Sequence, residues 1–264
     1  MSHTAELIAV GTEILLGNIA NTDAQMLSEE LAALGVNVLY HTVVGDNPTR
    51  LAEALELARR RVDIVITTGG LGPTYDDLTK QTICTVFGRK NVFHPEIADA
   101  LRTHFASIGR ELTENNLQQA YLPENCTIFR NHNGTAPGCG FCEGGVHVLM
   151  LPGPPHEMAD MFRRQVYDRL AARTGGCIAS RFIRIYGMGE SQVAQECAQW
   201  IENGEGVTVA PYCSLGECQL RVTARGRDEA EALRQVEPVV DAICGVLGDC
   251  VYDCLLYTSD AADE

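Results

Sequence analysis

The sequence predicts an α/β fold, a doubly wound and mostly parallel sheet followed by a small α+β domain. Three observations lead there. Apolar runs alternate with helical stripes through residues 5–86. One such run, Asp63-Ile64-Val65-Ile66, feeds directly into the turn Gly69-Gly70-Leu71-Gly72. A break near Arg173-Thr174-Gly175-Gly176 then separates this pattern from a second stretch with its own strand, helix, hairpin and long helix.

The elements follow in order. Residues 5–10 form a first strand. Asn21-Thr22-Asp23 supplies capping chemistry for a helix striped by Leu27, Leu31 and Leu34 and stopped at Gly35. Val36–Val44 alternates as a second strand. Asn47-Pro48-Thr49 opens a helix whose Leu51, Leu55 and Ala58 face inward. The strand at Asp63–Thr68 is β-branched and apolar throughout, as a buried parallel strand should be. Leu78, Ile83 and Val86 carry helical spacing after the glycine turn. A late strand, Val146–Leu151, runs into Pro152-Gly153-Pro154-Pro155-His156-Glu157 and a helix through Tyr167. Strand, helix, strand in succession implies right-handed crossovers and helices on both faces. Beyond the break, Arg181–Tyr186 is a strand, Glu190–Ile201 a helix, and Val207–Cys213 with Glu217–Ala224 a hairpin around Ser214-Leu215-Gly216. Asp228–Leu247 is a long helix. The expected domains are 1–172 and 177–253.

Composition narrows the function. The chain has 264 residues, 45% of them hydrophobic, and a net charge of −15. That charge argues against a nucleic-acid partner. No run approaches a membrane span, so no membrane partner is expected. Eleven cysteines with no signal peptide point to free thiols in a reducing cytoplasm. Cys139 and Cys142 have CxxC spacing without a second pair, so they are not read as a zinc site. The seven histidines show no paired ligand spacing.

In an open α/β sheet, ligands bind beyond the carboxyl ends of the strands. Four segments lie there: Gly11–Asp23, Gly69–Asp77, Asn133–Gly138 and Pro152–Glu157. They supply glycines and hydroxyls for phosphates and the carboxylates Glu13, Asp23, Asp76, Asp77 and Glu157 for a metal. Glycines at 69 and 70 let backbone N–H groups approach an anion at a helix start. Two adjacent acids in a phosphate turn make sense if a divalent cation sits between them and the phosphate. The plainer alternative is a loop in which Asp76 caps the next helix.

The last eleven residues, Cys254–Glu264, break the preceding pattern and match the translation of a transposase-type sequencing adaptor. They are therefore expected to lie outside the fold, and a further C-terminal domain is expected to be missing.

Gly11-Thr-Glu-Ile-Leu-Leu-Gly-Asn-Ile-Ala-Asn-Thr-Asp23, Gly69–Thr74 with Asp76-Asp77, Asn116–Ala120, Gly134–Gly138, Leu151–Met158 and Gly187–Ser191 resemble the CinA family. The resemblance implies a molybdopterin-binding-like first domain of the MoaB and MogA type and a KH-like second domain. It implies hydrolysis of the pyrophosphate of ADP-ribose or a related nucleotide, linked to pyridine nucleotide recycling. The implied cofactor is a divalent metal (Mg, Mn or Co) held by Asp76 or Asp77, with a monovalent cation as a second candidate. Thr12, Glu13 and Asn21 are expected to reach ribose or metal, and Gly69, Gly70, Leu71, Gly134, Thr135, Pro152 and Gly153 to line the substrate. Glu157 is either a general base or a helix-start carboxylate. A homodimer is expected, and the missing part would be a nicotinamide mononucleotide deamidase domain. Two other functions stay open: a pterin-binding protein, and a non-catalytic dimerising scaffold. Gly187-Met188-Gly189-Glu190 lacks the basic residues of an RNA-binding loop.

Overall fold

The structure, a computed structural model, describes residues 3–202, 206–214 and 217–256. The chain forms two units, residues 1–31 with 36–173, and residues 32–35 with 174–264.

In the first unit, β1 (Thr4–Val10), α1 (Thr12–Leu15), α2 (Thr22–Ala33), β2 (Asn37–Val44), α3 (Pro48–Ala58), β3 (Ile64–Thr68) and α4 (Thr79–Val86) follow one another. The ribbon strands β4 (Asn91–Phe93) and β5 (Tyr121–Pro123) enclose α5 (Pro95–Ser107) and a 3-10 turn at Glu114–Ala120. Then come β6 (Thr127–Phe129), β7 (Gly138–Glu143), β8 (Val146–Leu151) and α6 (Pro155–Met161). A π-helical turn at Phe162–Val166 leads into α7 (Tyr167–Thr174). The main sheet runs β2-β1-β3-β8-β7-β6. Its first four strands are parallel, and β7 and β6 add an antiparallel edge.

Local chemistry accounts for the crossovers. Asn47 accepts a hydrogen bond from the Arg50 N–H at 3.0 Å, and Pro48 takes the first helical turn. Leu51, Leu55 and Ala58 then fall on one face and are buried against the sheet, each leucine contributing about 2 kcal/mol. Gly35 stops α2 with φ near 73°, a conformation that costs glycine little. The helix after β8 continues past Tyr167 to Thr174, because the π-helical turn keeps the chain helical and places Phe162 and Val166 in the core. Cys139 is fully buried while Cys142 is exposed, since residues three apart on a strand face opposite sides.

The second unit contains β9 (Cys177–Tyr186), α8 (Glu190–Glu196), α9 (Ala198–Glu202), β10 (Val207–Ser214), β11 (Glu217–Gly226), α10 (Glu229–Leu247) and β12 (Val251–Leu256). The strands pair antiparallel in the order β10-β11-β9-β12. Asp228 caps α10 by accepting from the Glu231 N–H at 2.7 Å. Ala232, Val236, Val240, Ile243 and Leu247 form its buried stripe. The expected single helix at 190–201 is interrupted at Cys197, whose side chain is wholly buried. Leu215 and Gly216 of the expected hairpin turn lie outside the described residues. The fold was expected to end at Asp253, yet β12 pairs with β9 as far as Leu256. An edge strand pairs through backbone groups, which every sequence carries.

Inside the main sheet, Glu6 is fully buried. Its carboxylate accepts from Arg61 Nε at 2.9 Å and Nη2 at 2.7 Å, and from the Thr42 hydroxyl at 2.6 Å. The Arg61 guanidinium also lies 3.5 Å from the Tyr40 ring centroid. A buried pair of this kind is costly to break from one side only. Arg61→Ala should therefore destabilise the protein by about 3 kcal/mol. Adding Glu6→Gln to it should recover part of the loss, as read from urea unfolding of both variants.

Candidate active site

The parallel strands β1, β3 and β8 lie side by side, and their carboxyl ends open into a cleft of about 590 Å³. The loop after β1 contributes Glu13, Asn21 and Asp23 to its lining. The loop after β3 contributes Gly69, Gly70, Leu71, Asp76 and Asp77. Thr135 precedes β7, and Pro152, Gly153 and Glu157 follow β8. These were expected on separate grounds and the fold brings them to one place. Thr12 and Gly134 do not line the cleft.

The glycine turn is shaped by protein as much as by any ligand. Gly69 has φ near 91°, and a Cβ there would collide with the Val10 carbonyl oxygen. A Cβ at Gly70, with φ near 67°, would collide with Thr79 Oγ1. Thr79, fully buried, donates its hydroxyl to the Gly69 carbonyl at 2.9 Å and so ties the turn to α4. The Gly69 N–H, expected to face a phosphate, instead donates to the Leu151 carbonyl at 3.1 Å. The N–H groups of Gly70, Leu71 and Gly72 have no acceptor among the described residues. Successive unbonded backbone donors in a turn are the kind of group that anions take as partners.

The carboxylates differ in state. Asp77 Oδ2 accepts from the Thr74 N–H at 2.8 Å and the Thr74 hydroxyl at 2.6 Å, closing the turn and leaving Oδ1 free of these bonds. Asp76 is exposed, and it does not cap the next helix, where Leu78 holds the cap position without a side-chain bond. Glu157 accepts from Asn131 Nδ2 at 2.6 Å, and a Cβ at Gly134 would collide with it. So Gly134 makes room for Glu157. Thr12 is likewise a positioning residue: its N–H and hydroxyl donate to Asp46 Oδ2 at 3.0 and 2.7 Å. Asp46 lines the cleft and was not anticipated, although it follows the carboxyl end of β2, where the sheet-edge rule applies. Asn21 Oδ1 accepts from the Ala24 N–H at 3.1 Å, which leaves its amide nitrogen for the cleft.

Two cleft residues hold buried oxygens with no hydrogen-bond partner among the described residues, Asp23 Oδ1 and Gln119 Oε1. Asp23 is 7% exposed and Gln119 1%. The segment carrying Gln119 is anchored by buried Lys80, whose Nζ donates to the Gln118 and Gln119 carbonyls at 3.1 and 3.3 Å. Burial lowers the Lys80 pKa to about 8. Burial raises that of Asp23 from 3.8 to about 6. Unsatisfied buried oxygens are uncommon and call for a donor or a cation. Among the described residues no three His, Cys, Asp or Glu side chains converge as a metal cage.

The folded protein holds the Asp23 proton where the unfolded chain releases it, so stability falls as pH rises from about 4 to about 6. The shift corresponds to at most about 3 kcal/mol. Asp23→Asn should thus stabilise the protein by about 1–3 kcal/mol at pH 7 and leave it unchanged at pH 4, as measured by urea unfolding at both pH values.

Residues 6–172 match the family described as "Probable molybdopterin binding domain", and residues 180–252 match "Damage-inducible protein CinA KH domain". A "Putative competence-damage inducible protein" of Acetivibrio thermocellus is 46% identical over 248 residues, 94% of this chain and 60% of that protein. A CinA-like protein of Dictyoglomus turgidum is 46% identical over 247 residues, again 94% of this chain and 60% of the relative. The chain thus spans about 60% of the length of these curated relatives. A solved structure of CinA from Thermoplasma acidophilum, described as of unknown function, covers 63% of this chain and 98% of its own at 32% identity, with a TM-score of 0.59. The chain belongs to the CinA family.

Proposed function

We propose that the first unit hydrolyses the phosphoanhydride bond of ADP-ribose or a related nucleotide, with a divalent cation. The observation that carries this reading is the run of unbonded N–H groups at Gly70–Gly72, on residues that line the same cleft as the unpartnered oxygens of Asp23 and Gln119. The N–H groups suit phosphate oxygens, and the buried oxygens suit hydroxyl or amino donors of a nucleotide.

The donors in the cleft also fit a cation. They are hard carboxylate and amide oxygens on separate loops, without a three-ligand cage. Magnesium and its analogues commonly bind through one or two carboxylates together with substrate phosphates. Asp76 and the open oxygen of Asp77 would hold such an ion beside these N–H groups. When bound, it would neutralise phosphate charge and ease attack by water.

The remaining roles belong to the chain. Gly70, Leu71 and Gly72 N–H groups bind and orient the pyrophosphate. Glu157, aimed by Asn131, accepts a proton from the attacking water as its oxygen bonds to phosphorus. The bridging P–O bond breaks, leaving AMP and ribose 5-phosphate. Thr12 keeps Asp46 on the cleft wall.

AMP release from ADP-ribose in Mg²⁺, Mn²⁺ or Co²⁺ is the test. Asp76→Asn and Asp77→Asn should each slow it at least tenfold, about 1.4 kcal/mol in the barrier, with unchanged melting temperature. Asn at 77 still accepts from Thr74, so the turn survives and the charge alone is lost. Gly70→Ala should lower both rate and melting temperature, because its Cβ meets Thr79. No hydrolysis with any of the three ions, or full activity in both Asn variants, would refute the proposal. A pterin titration of the same protein would then decide between the binding and scaffold readings.

A further inference from the structure

A second cavity of about 410 Å³ opens in the first unit and shares no lining residue with the cleft. It lies along β6, β7, β8 and α7. Its floor is apolar: Phe129, Phe141, Leu149 and Leu170 are all buried there. Its wall carries Arg169 and Arg173, one helical turn apart on α7, and His147 near the amino end of β8.

The charge in this cavity is unusual. Among the described residues no carboxylate lines it, in a chain of net charge −15. Two like charges four residues apart on a helix repel one another. The Arg169 side chain, which is exposed, has no hydrogen bond or ion pair among the described residues. Arg173 Nη1 donates to His147 Nε2 at 3.0 Å, a partner without negative charge. Burial, helped by the Arg173 and His3 charges and opposed by the Asp63 carboxylate, holds His147 below its ordinary pKa and favours the neutral form that accepts this bond. Neighbouring arginines are treated differently: Arg163 pairs with Glu30 at 2.7 Å and Arg164 with Asp160 at 2.5 Å. Arg169 and Arg173 are both exposed, and neither pairs with a carboxylate among the described residues.

We infer that this cavity binds a phosphomonoester carried on an apolar or aromatic body. A phosphomonoester concentrates nearly two negative charges in one head group near neutral pH, matching two guanidiniums. A carboxylate or a sulfate ester carries one charge and leaves one arginine unmatched. The buried phenylalanine and leucine side chains take the body, and the cavity volume suits a ligand of one or two rings.

The probe is 1-naphthyl phosphate, titrated calorimetrically into the full chain beside inorganic phosphate, 1-naphthol and 1-naphthoate. The naphthyl phosphate should bind at least tenfold tighter than each of the other three. Arg169→Ala with Arg173→Ala should weaken it at least tenfold. The paired lysine substitutions at the same positions should recover part of that loss, with melting temperatures as in the parent. Three results would each overturn the inference. They are no binding of naphthyl phosphate, equal binding by the double alanine variant (which would place the ligand elsewhere, as in the cleft), and equal affinity for inorganic phosphate or naphthol.

Discussion

The close approach of Gly69 to the Val10 carbonyl oxygen is the contact on which the site depends. It lets the end of β3 lie against the end of β1 with no side chain between them. Gly153, two residues past the end of β8, approaches from the other side less tightly, and its Cβ would stand 3.2 Å from Gly69 Cα. Three parallel strands can therefore release their loops into one cleft. The Gly69 N–H bonded to Leu151 and the Thr79 hydroxyl bonded to Gly69 lock the turn from both sides. What remains unbonded is the run of N–H groups just beyond, at Gly70–Gly72.

This arrangement divides the polar residues into those that hold loops and those left open. Thr12 holds Asp46, Thr74 holds Asp77, Asn131 holds Glu157, and Lys80 holds the Gln119 segment. Each of the three carboxylates keeps one oxygen outside the bonds named here. Asp23 and Gln119 go further, with buried oxygens that no described residue satisfies. Buried groups of this kind cost stability, and they are characteristic of sites that gain their partners from a ligand. The fully satisfied Glu6–Arg61–Thr42 cluster, deeper in the same sheet, shows the contrasting structural use of a buried charge.

The sequence was most legible where a single local rule operates. The β-branched run before Gly69, the Asn47-Pro48 helix start and the Leu27, Leu31, Leu34 stripe each depend on contacts within a few residues. The antiparallel edge was not legible. The run Gly138-Cys139-Gly140-Phe141-Cys142-Glu143 has little strand character of its own and becomes a strand because β8 offers it a hydrogen-bonding edge. The break at Cys197 and the extension of β12 to Leu256 have the same origin in packing and edge pairing.

The sequence by itself determined the two-part α/β and α+β organisation, the family, and the loops at which a ligand site would form. Periodicity and glycine placement are local properties, and they survive without coordinates. Only the tertiary structure decided which residues in those loops face the cleft. It turned Thr12 and Gly134 into supports, took the Gly69 N–H for Leu151, and brought in Asp46 and Gln119. It also set Arg169 and Arg173 beside an apolar floor, with no carboxylate pairing either among the described residues. Partnership and burial arise between segments far apart in the chain, so no local pattern encodes them.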